Sequence, residues 1–250
     1  MKAGAPERPR RGDYGVDAAY VPIGLGAGGL LLVFLAALNA AEGNQTWAVI
    51  AVLSGIYLLL STASYLYTTR RGKFAVWSRL LSELELRGDE RILDMGCGRG
   101  AVLLLAARLV PRGSAVGLDL WSRSDQSGNR PEAARQNAER EGVADRVELH
   151  TGDMTAMPFE EASFDVVLSS LAIHNIKSAE GRQRAIDEAT RVLKPGGRLL
   201  IADFRQTHTY AERLSQVGLT EVAERGLGWR FWYGGPWTAT RLVTAHKAQL

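Results

Sequence analysis

Two stretches of this 250-residue chain, residues 18–41 and 43–69, carry no charged side chain and are parted by Glu42 alone. A helix needs about 20 apolar residues to cross a bilayer, so each stretch is long enough to span one. A first span is predicted from Tyr20 to Ala41 and a second from Thr46 to Tyr67, joined as a hairpin by Glu42-Gly43-Asn44-Gln45. Basic residues gather at the outer ends, Lys2, Arg8, Arg10 and Arg11 before the first span and Arg70, Arg71 and Lys73 after the second, while the turn has none. An excess of Lys and Arg marks the cytoplasmic side. The expectation is a multi-pass protein of the cell membrane, with the lipid bilayer as a partner and both termini in the cytoplasm. Trp47, Tyr65 and Tyr67 stand at span ends, where interfacial aromatics concentrate. Two rival readings exist. A secretory signal peptide ending near Ala40 would still leave the second span and its basic flank, so the remainder stays inside. Two buried core helices would need a covering layer that the chain does not supply. Gly24 and Gly28 form a small-xxx-small pair, suited to packing inside the hairpin or to self-association as a homodimer.

Charge separates the chain into two parts. Residues 1–79 hold eight basic residues against four acidic ones, which leaves 22 basic and 23 acidic residues of the totals of 30 and 27 to residues 80–250. The net charge of +3 therefore comes from the flanks of the apolar runs. A charge-balanced globular part argues against a nucleic-acid partner. The single cysteine, Cys97, excludes internal disulfides and a multi-cysteine metal site, and no metal ligands are predicted. The expected organisation is a tail over 1–19, the hairpin over 20–69, an amphipathic linker or lid helix over 70–89 and a globular domain over 90–250. In the linker, Phe74, Trp77, Leu80, Leu81 and Leu84 recur at helical spacing, a face suited to the sheet or to the lipid interface.

Beyond Leu80, short apolar runs alternate with amphipathic stretches, the pattern of βα units around a parallel sheet. Arg91 to Met95 is predicted as a strand, Gly96-Cys97-Gly98-Arg99-Gly100 as a glycine turn and Ala101 to Val110 as a helix. Glycine lets a ligand approach the backbone, and a following helix N-terminus offers free N–H groups. Nicotinamide enzymes prefer G-x-G-x-x-G, whereas the spacing here is G-x-G-x-G behind Asp94. A second strand, Ala115 to Leu120, carries Asp119 near its end, where a carboxylate accepts hydrogen bonds from both ribose hydroxyls.

These residues resemble the class I S-adenosylmethionine-dependent methyltransferases, and further segments agree in order. Thr151-Gly152-Asp153-Met154 resembles the family's adenine-binding turn, 163–170 its fourth strand, and 191–201, with Lys194-Pro195-Gly196-Gly197, its helix end, turn and fifth strand. The resemblance implies an α/β, Rossmann-like sheet, mostly parallel with an antiparallel last strand, preceded by the two transmembrane helices. It implies S-adenosyl-L-methionine as cofactor. Asp94 and the turn glycines Gly96, Gly98 and Gly100 would hold the methionine moiety, and Asp119 the ribose beside Leu120. Asp153 would bind the adenine amino group with Met154 beside the ring, and Ser170 would face the methionine part. Asp94 has the alternative of a satisfied strand-end acid. Cys97 reads as a small turn residue, and Asp165 as a plain strand residue.

The methyl acceptor is less legible. After the fourth strand stands Leu171-Ala172-Ile173-His174-Asn175-Ile176, not the N/D-P-P-Y/F/W motif of amino-group DNA and protein-glutamine methyltransferases. His174 is the candidate catalytic base, with packing as its alternative; Asp203, His208 and Tyr210 are weaker candidates. Residues 229–237 place five aromatics in nine positions, suited to membrane, substrate, another subunit or burial against the leading helix. Residues 121–130 form a long polar segment that either folds over the ribose side or is a surface insertion. The expected activity is methyl transfer to a lipophilic or membrane-associated small molecule. The alternatives are a soluble acceptor with the anchor serving localisation only, and a cofactor-binding regulatory protein without turnover.

Overall fold

Residues 10–249 are described by a computed structural model; Lys2, Arg8 and the rest of residues 1–9 lie outside them. Helix α1 (Tyr20–Ala41) and helix α2 (Gln45–Tyr67) pack as an antiparallel hairpin. Both are long and apolar enough to cross a membrane, and only 17% of each apolar window is buried within the molecule. Large side chains such as Ile23, Leu30, Phe34, Leu53 and Leu60 face outward. The close approach between the helices is at Gly29 and Gly55, where a Cβ on either would crowd the other's carbonyl oxygen at 2.9–3.1 Å. Gly24 faces open space and Gly28 makes only an ordinary contact with Leu58, so packing inside the hairpin does not rest on the Gly24/Gly28 pair.

Helix α2 does not stop where its apolar run ends. It passes through one π-helical turn, Thr68–Gly72, into helix α3 (Lys73–Glu83). A π-turn inserts a residue and rotates the helix beyond it. The rotated face carries Trp77, Leu80, Leu81 and Leu84, each at most 7% exposed, into one apolar cluster with Ile92, Val166 and Leu168. The amphipathic face predicted for this helix covers the sheet, and helix α2 and the sheet-capping helix form one continuous rod.

The remaining elements are β1 (Arg91–Met95), α4 (Leu103–Leu109), β2 (Ser114–Asp119), α5 (Pro131–Glu141), β3 (Val147–Thr151), β4 (Phe164–Ser170), α6 (Ala179–Val192), β5 (Leu193–Asp203), α7 (Thr207–Gln216), β6 (Thr220–Gly226) and β7 (Arg241–His246). Among the described residues the seven strands lie in the order β3-β2-β1-β4-β5-β7-β6, with β7 antiparallel to both neighbours. β1, β2, β4 and β5 are buried on both faces, which explains their near-continuous Leu, Val, Ile and Ala content. Strand order reverses between β1 and β4, and in open α/β sheets the crevice at that reversal, beyond the carboxyl ends of the strands, is where ligands bind.

The helix after the glycine turn is shorter than its sequence indicates. Residues 98–102 are irregular turn and α4 begins at Leu103. Gly96, Gly98 and Gly100 all have positive φ (+75°, +53° and +86°), and this repeated left-handed conformation delays the helix.

Candidate functional site

A cavity of about 340 Å³ opens at the carboxyl ends of β1, β2 and β4. Asp94, Gly96, Gly98, Asp119, Leu120, Asp153, Met154 and Ser170 all line it. Gly100 does not, and its role is to turn the chain, its N–H bonding to the Cys97 carbonyl oxygen at 2.9 Å. Strand alternation and the three βα turns thus bring together residues drawn from four separate sequence segments.

Asp94 is 1% exposed, and neither carboxylate oxygen has a side-chain hydrogen-bond partner among the described residues, the Leu103 amide being the one backbone donor that acts on it. Burial pushes its pKa up to about 7, opposed by the Leu103 amide and reinforced by the Asp119 charge. A buried carboxyl short of donors is costly, and a cationic group in the cavity would relieve that cost. Asp119 is held differently. Its carboxylate accepts from the backbone N–H of Gly98 at 2.7 Å and of Trp121 at 2.5 Å, and from Asn129 Nδ2 at 3.2 Å. Burial raises its pKa, the amide hydrogen bonds oppose it, and Asp125 adds to it. Asp153 is exposed and accepts the Thr155 N–H at 2.8 Å through Oδ1, an Asx-type turn that aims the carboxylate along the cavity rim. Ser170 Oγ accepts the indole N–H of Trp77 at 2.9 Å, which ties the end of β4 to α3.

The turn's N–H groups are not free for a ligand. Gly96 and Cys97 donate to the Leu118 carbonyl oxygen, Gly98 to Asp119, Arg99 to Gln126 Oε1 at 2.8 Å and Gly100 to the Cys97 carbonyl oxygen. The glycines serve close approach instead: a Cβ on Gly96 would overlap Ala172, and one on Gly98 would press on Gln126 Oε1. Cys97 is buried, and burial raises its thiol pKa well above the ordinary value, so the thiol stays protonated.

The segment after β4 contributes Leu171, Ala172, Asn175 and Ile176 to the cavity wall, and His174 is not among the lining residues. Its Nδ1 lies 2.8 Å from Asp203 Oδ1, its backbone N–H donates to Asp203 Oδ2, and its ring packs on Phe204. Asp203 is fully buried beneath it, Tyr210 belongs to the core, and His208 stands exposed beside Glu212. None of these three lines the cavity.

Sequence reasoning missed one wall. Asp17 and Lys73 also line the cavity. Residues 10–18 run back over the domain as a strap, with Gly12, Asp13 and Val16 donating to Glu141, Asn137 and Ser127. The strap delivers Asp17 to a polar junction, where its carboxylate accepts from Lys73 Nζ at 2.7 and 2.8 Å, Thr69 Oγ1 at 2.7 Å, Tyr233 Oη at 2.7 Å and Gln126 Nε2 at 3.1 Å. Burial works to raise the Asp17 pKa, but the Lys73 ammonium and these hydrogen bonds outweigh it and hold it below the usual carboxylate range. The available signal was that Asp17 and Lys73 are charges immediately flanking the apolar runs. Segment 121–130 does close over one side of the cavity through Ser122, Asp125, Gln126 and Asn129. Segment 229–237 wraps the rod: Trp229 stacks on Tyr67, Tyr233 meets Tyr65 edge-on and Trp237 lies 5.5 Å from Tyr57.

Residues 93–201 match the profile of the methyltransferase domain family. Over 136 residues the chain is 34% identical to a ubiquinone/menaquinone biosynthesis C-methyltransferase, UbiE, of Ruegeria sp., covering 54% of this chain and 51% of that protein. It is 35% identical over 153 residues to the 27-O-demethylrifamycin SV methyltransferase of Amycolatopsis mediterranei, covering 58% and 52%. The chain thus spans about half the length of these curated relatives. A solved S-adenosylmethionine-dependent methyltransferase from Aquifex aeolicus superposes with a TM-score of 0.53 at 18% identity, covering 68% of this chain and 88% of that one. The unpaired Asp94, the acidic second-strand end and the close-approach glycines fit S-adenosylmethionine, whose methionine end carries a cationic amino group. Residues 93–201 thus match a methyltransferase domain, and the sheet that carries the cavity has the fold of the solved methyltransferase.

Proposed function

We propose that this protein transfers the methyl group of S-adenosylmethionine to a lipophilic or membrane-associated small molecule at the cytoplasmic face of the cell membrane, with the α1–α2 hairpin as its anchor. The observation that carries the reading is the shared wall: Asp17, just before α1, and Lys73, just after the end of the second span, line the same cavity as the cofactor residues. A cavity at the foot of the hairpin receives an acceptor dissolved in the inner leaflet without its crossing water. The outward apolar girdle of the hairpin and the basic residues Arg10, Arg11, Arg70 and Arg71 at its foot support the orientation.

In this reading Asp94 takes the methionine ammonium, Asp119 the ribose hydroxyls, Asp153 the adenine amino group, and Met154 the adenine face. The glycine turn admits the cofactor to backbone contact, and Ser170, its oxygen engaged by Trp77, directs its own hydroxyl proton toward the methionine part. The bound sulfonium supplies an electrophilic methyl carbon. What remains for the chain is to align the acceptor and exclude water, a task suited to the apolar wall of Val102, Leu171, Ala172 and Ile176. His174, turned to Asp203 and Phe204, holds that wall in place.

The test incubates the full chain in detergent micelles with methyl-labelled S-adenosylmethionine and, separately, membrane-lipid and soluble extracts. Label is expected in a lipid product and falls at least about tenfold in Asp119→Ala, which removes charged hydrogen bonds to the ribose. Label arising from the soluble extract alone would refute the lipophilic acceptor. No label from either extract would refute turnover.

A further inference from the structure

We propose that Lys73 is the partner of the cofactor's carboxylate, so that the amino-acid tail of S-adenosylmethionine is clasped between Asp94 in the sheet and a lysine on the rod that continues the second span. This rests on the cofactor reading above. The amino-acid tail brings two opposite charges into the cavity, an ammonium and a carboxylate. Asp94, buried and without a side-chain partner, answers the ammonium. The carboxylate needs donors, and the backbone N–H groups of the glycine turn itself, all five from Gly96 to Gly100, are bonded inside the chain. Helix α4 has seven residues, and its first amide, that of Leu103, acts on Asp94.

Among the residues lining the cavity, five are aspartates and Lys73 alone is cationic. Its side chain is 5% exposed. A lysine is seldom buried this deeply unless paired, and here the pairing is built from several elements. Both Nζ hydrogen bonds go to Asp17, which leaves one of the three ammonium N–H bonds for a ligand. Asp17 cannot take that ligand's place as a recognition group for a donor, since Thr69, Tyr233 and Gln126 occupy its remaining acceptor positions. The junction therefore acts as a socket that fixes the ammonium before the ligand arrives, at low reorganisation cost on binding.

The experiment compares S-adenosylmethionine with S-adenosylmethioninamine, the same molecule without its carboxylate, by equilibrium binding to the full chain in micelles. The wild type is expected to bind the complete cofactor at least about tenfold more tightly, the size of a charge-assisted contact. Lys73→Met is expected to lose that preference, and to lose it equally in an Asp17→Asn background where no buried carboxylate is left uncompensated, while Lys73→Arg retains most of it. A purely structural lysine would weaken both ligands equally. Equal binding of the two by the wild type overturns the proposal even if Lys73→Met fails to fold, and so does a preference that survives in Lys73→Met or in Lys73→Gln. If the wild type binds neither compound, the cofactor reading itself has failed.

Discussion

In the proposed reading, Asp94 serves binding at the expense of stability. Its pKa in the folded protein, about 7, lies above the ordinary 3.8. Between those values the folded state holds a proton that the unfolded state has released, so this residue's contribution favours folding at low pH and is lost as pH rises through the window. Asp94→Asn is expected to make the ligand-free protein more stable than wild type at pH 8, by a few kcal/mol at most, with little difference at pH 4, and to weaken S-adenosylmethionine binding. Thermal melts at both pH values with and without cofactor check this. A variant no more stable at pH 8 would contradict the unpaired state of the carboxyl. The role proposed for Asp94 was readable from a local pattern, an acid two positions before the first glycine of a turn. That its carboxyl is buried without a side-chain partner was not, since such a lack is defined by what surrounds the group in space.

At the scale of elements, the rod from α2 to α3 depends on Gly72. Its φ of −58° is ordinarily helical, so backbone conformation does not call for glycine. The reason is contact, because a Cβ there would overlap the Arg230 carbonyl oxygen. Helix propensity alone makes Gly→Ala favourable by up to about 1 kcal/mol, whereas forcing a methyl into a packed contact costs about 1–3 kcal/mol. Gly72→Ala is therefore expected to lower the melting temperature and to displace segment 229–237, read as increased protease cleavage near Arg230. A raised melting temperature would refute the contact. Periodicity predicted an amphipathic helix within 70–89 and its apolar face, but gave no sign of the π-turn, because a register change of one residue alters the hydrophobic period too little to see. The helix after the glycine turn was overestimated for the opposite reason: Ala101 to Val110 is helix-compatible throughout, and the left-handed glycines before it decide where the helix begins.

For the whole molecule, the aromatic segment joins the helical hairpin and the domain. Tyr57, beside Trp237, lies ten positions before Tyr67, about 15 Å along the helix at 1.5 Å per residue. Trp237 is 63% exposed there, at the depth of the inner leaflet in the proposed orientation, whereas Trp77 is fully buried in the domain. In vesicles of brominated phospholipid, tryptophan quenching is expected to drop in Trp237→Phe. Trp77→Phe is expected to leave the quenched component unchanged. Equal effects of the two would place segment 229–237 outside the bilayer.

The sequence by itself determined what short-range pattern can encode: two uncharged runs of spanning length, a glycine turn with its flanking acids, and strands buried on both faces. Each of these is a property of neighbouring residues, since charge, period and turn chemistry act over a few positions. Only the tertiary structure decided that the flanks of the two apolar helices fold back to wall the cavity at the carboxyl ends of the strands. Asp17 and Tyr233 are 216 positions apart and meet at 2.7 Å, and Thr69, Lys73 and Gln126 meet them there. Such a junction forms because a buried carboxylate must gather donors from whatever elements the sheet and rod bring near it, and no periodicity along the chain records that requirement.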